Sequence, residues 1–199
     1  MRDERPFEWP DDTQDATRLG VDWRLHALPA WATRNLRGVA YGFREAAETA
    51  YEAAVERKRP VDAMFLPLAY LWRHHIELML KANIEIWSAF NESPTPRFGG
   101  KGGLGHDLGK LWDKFDELSS PHVGPEDLAS AAAGRRALVS FLRLEPHPDS
   151  SRYPADVQRR PYQRPERVDL RELHRTATAV SALLSGAYDQ VDAWLQEGQ

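Results

Sequence analysis

The stretch Tyr70-Leu71-Trp72-Arg73-His74-His75-Ile76-Glu77-Leu78-Met79-Leu80-Lys81 decides the fold. Its spacing predicts one helix. Leu71, Ile76, Leu78, Met79 and Leu80 crowd most of that helix's surface, so it is expected to be buried on most sides. Arg73, Glu77 and Lys81 recur every four residues. That step advances about 40° past a full turn, so the three side chains stack in one line. Charges on a largely buried helix need partners, because an unpaired buried charge is costly. Two readings are open. The line is a structural ion-pair ladder, or it is a cationic pocket in which Arg73 and Lys81 grip phosphate and Glu77 orients them. His74 and His75 are adjacent and point to different faces. His74, beside the charged line, is expected to be the polar one, and His75 a packing histidine.

Working outward, the same 3.6-residue period dominates. Leu36, Val39, Ala40, Phe43, Ala47, Ala50 and Ala54 mark a helix from about Pro29 to Arg57. Pro60 ends it. Asp62 is expected to cap the helix that carries the opening stretch, which runs to about Phe90 with a kink at Pro67. Residues 91–105 hold two prolines and five glycines and predict a mobile loop. Further helices are expected from about His106 to Leu118, Pro125 to Arg143 and Asp169 to Leu195. Residues 145–166, rich in Pro and Arg, lack periodicity. The expected fold is all-α, an up-and-down bundle of about five helices. Residues 1–28 read as an irregular N-terminal arm pinned by Trp9 and Trp23, and 29–199 as the bundle.

Composition narrows the function classes. The chain has 199 residues, enough for one domain with a proper core. The formal net charge is -4, so a nucleic-acid contact has to come from a local patch. With no cysteine there is no disulfide, thiolate catalysis or cysteine-ligated zinc. Apolar runs are too short to span a bilayer, and the N-terminus lacks an apolar signal core. A cytoplasmic location without membrane contact is expected.

Three motifs carry a family resemblance. Arg73-His74-His75-Ile76-Glu77-Leu78-Met79-Leu80-Lys81-Ala82 resembles the second bundle helix of the HEPN superfamily. Gly105-His106-Asp107-Leu108-Gly109-Lys110-Leu111-Trp112 resembles the His-Asp-Leu element that starts the next helix there. Ser151-Arg152-Tyr153-Pro154 resembles the family's arginine-tyrosine-proline turn. The likeness covers roughly residues 30–195. It implies a homodimer that is RNA-directed, either a metal-independent ribonuclease with a composite site or an RNA-binding effector of a prokaryotic defence or toxin–antitoxin type. It also implies no cofactor and a protein partner from the same operon. Arg73, His74, Glu77 and His106 are then the catalytic candidates. Lys81, Asp107, Arg152 and Tyr153 are the candidates for substrate contact.

The family's catalytic signature is an arginine, four to six residues, then a histidine, and this chain departs from it. Arg143 and His147 are separated by three residues. Arg167 and His174 are separated by six, but Val168 follows the arginine where a polar residue is usual. The alternative is a catalytically silent module that docks on a partner. A third reading, an HD-type metal phosphohydrolase, takes His106-Asp107 with His74 or His75 upstream. There, however, a glycine loop precedes the pair, and Asp149 and Asp156 lie in a loop segment.

Other features have bland readings beside the functional ones. Asp107 is equally a helix cap. Gly100, Gly102 and Gly105 fit Gly-x-Gly-x-x-Gly, but a dinucleotide fingerprint needs a βαβ unit. A P-loop fails because Leu111 follows Lys110. Arg152, Arg159, Arg160, Arg164 and Arg167, with Tyr153 and Tyr162, suit phosphate contact and base stacking, or form an ordinary solvated loop. Trp194 with Leu183, Leu184, Tyr188 and Val191 is a candidate dimer seam.

Overall fold

The computed structural model describes residues 27, 35–125, 127–144, 147, 150, 152, 153, 155–163 and 165–198. The arm expected over 1–28 lies outside them, apart from Ala27. Five α-helices follow: α1 Leu36–Val55, α2 Val61–Phe90, α3 Leu108–Ser119, α4 Leu128–Leu144 and α5 Leu170–Glu197. A short 3-10 helix, Ser120–His122, extends α3. No strand forms among the described residues, where Ala155 and Pro161 make an isolated bridge. The described residues are thus all-α, with five α-helices, as the periodicity leads one to expect. No helix of the described residues is long and apolar enough to cross a membrane.

Helix α2 is the axis of the molecule, in contact with α1, α3 and α5, while α4 packs on α5. The reason is a column of residues four apart. Leu68, Trp72, Ile76, Leu80 and Ile84 are all fully buried. The charged line of Arg73, Glu77 and Lys81 runs one residue beside it and is buried too. Pro67 sits inside α2 without ending it. It leaves the Ala63 carbonyl without its usual intrahelical donor, and the helix nevertheless continues to Phe90.

On α1, Ala40, Ala47 and Ala54 are buried at seven-residue intervals. With only methyl groups between them, the α1 backbone lies close to α2. His75 therefore reaches across, its Nδ1 2.9 Å from the Ala40 carbonyl. A carbonyl only accepts, so Nδ1 carries the proton. Nε2, 2.7 Å from Ser181 Oγ, then accepts the hydroxyl proton from α5. Asn83 adds a second link, donating to the carbonyls of Met79 and Leu184 at 2.9 Å each. His75 is the packing histidine that adjacency predicts.

Several expectations need correction. Asn35 caps α1, its side chain accepting from the Gly38 N–H at 2.7 Å. The helix so begins at Leu36, not Pro29. Pro60 is the N-cap of α2, and Asp62 lies in the first turn, where a carboxylate favours the helix dipole. Part of the dimer seam expected on α5 is occupied within the protomer, while Leu183 and Tyr188 stay half-buried. Leu184 and Val191 are fully buried, and Trp194 packs against Trp87 and Phe90.

The glycine loop owes its composition to backbone shape. Gly100, Gly102 and Gly105 all have positive φ. Leu104 and Gly105 donate to the carbonyls of Arg97 and Phe98 at 3.0 and 2.8 Å, which closes the loop on itself. Elsewhere, three non-glycine residues among those described take the left-handed conformation, Arg159 in the turn that Asp156 closes and two at helix ends. α1 ends with Arg57 at φ 57°, and α2 with Glu92 at φ 50°. In each case the next residue donates five positions back, Lys58 to Ala53 and Ser93 to Ser88. This is a helix C-terminus that favours glycine. Arg57→Gly and Glu92→Gly are therefore expected to stabilise the protein, each by up to about 1 kcal/mol. Urea denaturation measures it; a loss of stability in both variants would contradict the strain.

Candidate functional site

A cleft of about 800 Å³ opens where α2, the glycine loop and the start of α3 meet. Arg73, His74 and Glu77 enter from α2, His106 and Asp107 from the α3 N-terminus, and Arg152 from the segment before α5. Residues from three separated parts of the chain thus converge at one place.

The cleft is organised around one residue, His106, held at both ends by α2. Arg73 Nη2 donates to the His106 carbonyl at 3.0 Å. Glu77 Oε1 lies 2.7 Å from His106 Nδ1. Asp107 fixes the backbone direction, since its Oδ1 accepts from the N–H groups of Gly109 and Lys110 and caps α3. The same Glu77 oxygen accepts from Lys81 Nζ at 2.8 Å. Both the Glu77 and the Lys81 side chains are buried, whereas the His106 side chain is mostly exposed.

Protonation follows from these contacts. Burial alone would raise the Glu77 pKa. The hydrogen bonds from Lys81 and His106, with their charges, outweigh it and hold the carboxyl below its ordinary value. An ionised carboxylate only accepts, so His106 Nδ1 carries a proton and Nε2 is the ring nitrogen left to the cleft. For His74, burial is the largest influence and lowers the pKa. Glu77 pulls it up, but Lys81, His106 and Arg152 add to the lowering. His74 is therefore neutral at pH 7, with its ring stacked on Tyr70 and edge-on to Phe43.

Four expectations change on this geometry. Lys81 does not line the cleft; it is the buried counter-charge of Glu77 and lies 5.6 Å from the Phe98 ring centroid. Asp107 lines the cleft but uses Oδ1 on the helix cap. Tyr153 is exposed beside Arg152, whose guanidinium sits over its ring at 5.8 Å. Arg167 and His174 do not meet. Arg167 borders a separate cavity between α4 and α5, while His174 stacks on Tyr51 at 3.7 Å and sits 3.2 Å from Glu48. His147 was not singled out for the site, yet it lines the cleft and stacks with Tyr162. Its lack of helical periodicity left no signal to place it. Of the arginine-rich segment, Arg160 is paired with Asp156, Arg159 is exposed, and Arg164 and Asp149 lie outside the described residues.

Among the described residues, no three His, Asp or Glu side chains gather as a metal site. Comparison with family models, with curated proteins and with solved structures finds no match to this chain.

Removing Glu77 leaves Lys81 charged and buried. Glu77→Ala should cost about 3–5 kcal/mol, and Glu77→Leu with Lys81→Met should recover most of it, because the desolvation penalty disappears with both charges. Chemical denaturation decides; a parent-like melt for Glu77→Ala would mean that the pair is solvated. pH adds a second check. Burial lowers the pKa of His74, His75 and His174 from 6.5 in the unfolded chain. Below pH 6.5 the unfolded state binds more protons than the folded one, so stability falls as pH drops through that window toward the depressed folded values. Urea melts at about pH 7.5 and 5.5 are expected to show the fall, and His75→Gln to flatten it.

Proposed function

We propose that the chain is an RNA-directed protein with a HEPN-like bundle, working as a ribonuclease or RNA-binding effector of a prokaryotic defence or toxin–antitoxin type. The observation that supports it most is the clamp on His106. Two α2 side chains one turn apart hold its carbonyl and its ring, inside a cleft that Arg73 and Arg152 make cationic. A phosphodiester suits that cleft, because guanidinium groups match phosphate oxygens in charge and shape.

The chemistry proposed is transphosphorylation within RNA. Neutral His74 accepts the proton of a 2′-hydroxyl, whose oxygen attacks the adjacent phosphorus. The bond to the 5′-oxygen breaks, and His106 Nε2 hands that oxygen a proton. Glu77 holds the His106 ring in place through Nδ1 during the exchange. Arg73 and Arg152 stabilise the charge that develops on the phosphorane. Homodimer formation and a partner protein from the same operon belong to this proposal.

A second reading, a catalytically silent docking module, has its own observation. Arg143 borders the cavity between α4 and α5, whereas His147 borders the cleft. The metal phosphohydrolase has less support. Asp107 caps a helix, and Asp156 accepts from Gln158 and Arg160 in its own turn.

Cleavage of labelled single-stranded RNA in excess chelator is the test. The parent protein is expected to cut, His106→Ala to lose about 100-fold or more, and Arg167→Ala, outside the cleft, to match the parent. Activity lost on chelation would point to the phosphohydrolase. RNA bound but never cut would leave the RNA-binding effector, and RNA neither bound nor cut the silent module.

A further inference from the structure

The cleft holds groups that phosphate chemistry does not use. Arg73, Arg152 and His106 account for a phosphodiester, yet Leu104, Leu142 and His147 line the same space. Leu104 comes from the glycine loop, Leu142 from the last turns of α4, and His147 from just beyond that helix. A volume of about 800 Å³ lies high in the range of small-molecule sites and is far more than one phosphate fills.

His147 is exposed, and it is nevertheless held from two sides. Ser150 is fully buried. Its backbone N–H donates to the His147 carbonyl at 3.0 Å, and its hydroxyl donates to the same oxygen at 2.6 Å. The imidazole stacks on the half-buried Tyr162, with ring centroids 5.9 Å apart and planes inclined by 20°. Tyr162 follows Pro161, whose bridge to Ala155 closes a turn. Asp156 locks that turn, accepting from the N–H groups of Gln158 and Arg160 at 2.8 and 2.9 Å and from the Arg160 guanidinium. A buried serine, an aromatic stack and a closed turn thus fix one exposed imidazole at the cleft. At 5.9 Å the two rings are offset, so Tyr162 covers part of the imidazole and not all of it.

We infer that His147 is a stacking platform for an unpaired base, and that the cleft takes single-stranded rather than duplex RNA. This rests on the RNA-directed reading of the same cleft. An imidazole face accepts any base by stacking, since every base has a π-face. Tyr162 behind the imidazole stiffens the platform, and Leu104 and Leu142 give the base apolar surroundings. Arg73 and Arg152 hold the phosphate of the same strand. A base inside a duplex is covered by its neighbours and reaches the ring only at the cost of unstacking. His147 moves no proton in this arrangement; it binds.

A short RNA with 2′-fluoro sugars and a fluorescent end is the probe. It lacks the attacking hydroxyl and stays whole during the measurement. Anisotropy with the full chain reads binding. The parent is expected to bind the single strand at least about tenfold tighter than the corresponding duplex. His147→Ala should weaken single-strand binding about tenfold, and His147→Phe, which keeps a ring face and removes both nitrogens, should restore it. An abasic residue moved along the strand should, at one position, cost the parent as much as His147→Ala does. At that position it should cost the alanine variant nothing further. Circular dichroism should stay helical in both variants, because position 147 is exposed. Undiminished binding by His147→Ala, or no rescue by His147→Phe, would overturn the platform and leave the RNA-directed reading in place. A duplex bound as tightly as the single strand would do the same. No binding of either form by the parent would overturn both.

Discussion

A single buried carboxylate holds the cleft together. Glu77 Oε1 accepts from Lys81 on its own helix and from His106 on the far side of the glycine loop. The first bond keeps the carboxylate charged in a place where burial opposes charge. The second uses that charge to orient a ring 29 residues away. Either bond without the other would be a poor arrangement. Lys81 alone would be an unpaired buried cation, and His106 alone an unanchored exposed imidazole. The cleft's geometry depends on this three-centre contact, and α2 can supply it because four-residue spacing sets Glu77 and Lys81 one above the other.

The rest of α2 is arranged around that requirement. Its adjacent column, Leu68 to Ile84, is wholly apolar and buries the helix on one side. Lys81 is therefore walled by apolar groups, and the Phe98 ring nearby contributes a face that a cation favours. On the opposite flank, His75 and Asn83 spend their polar atoms on α1 and α5, and Ser181 completes the set. Polar groups on α2 thus divide into two sets. One joins helices and is closed to solvent; the other faces a cleft that cations and histidines line.

How much of this was legible depended on periodicity. Five helices could be read because apolar residues repeat at three and four along each of them. The ladder was legible for the same reason, whereas the meeting of Arg73 and Glu77 with His106 was one reading among several that spacing did not decide. The partner of Glu77 was read less well. Spacing alone allows Glu77 to bond either neighbour in its column, and the outcome turned on Phe98 and the loop, which carry no period. Helix starts were misplaced because capping is decided by one side chain, Asn35 or Asp107, not by a pattern. A cavity that Trp87, Trp112 and His122 border was invisible in the sequence, because no spacing shows that α3 and the 3-10 helix bring the three together.

The alanine seam of α1 has a consequence for the order of folding. α1 and α2 are joined by the short link 56–60, and their contact surface is a row of methyl groups against a continuous apolar column. Closing so short a loop costs little entropy, so this hairpin can assemble from local contacts alone. The cleft cannot. Arg73 must find the His106 carbonyl across 33 residues, with the glycine loop between them. The α1–α2 hairpin is therefore expected ahead of the charged centre, at a stage where Glu77 and Lys81 already share a helix but His106 is not yet in place.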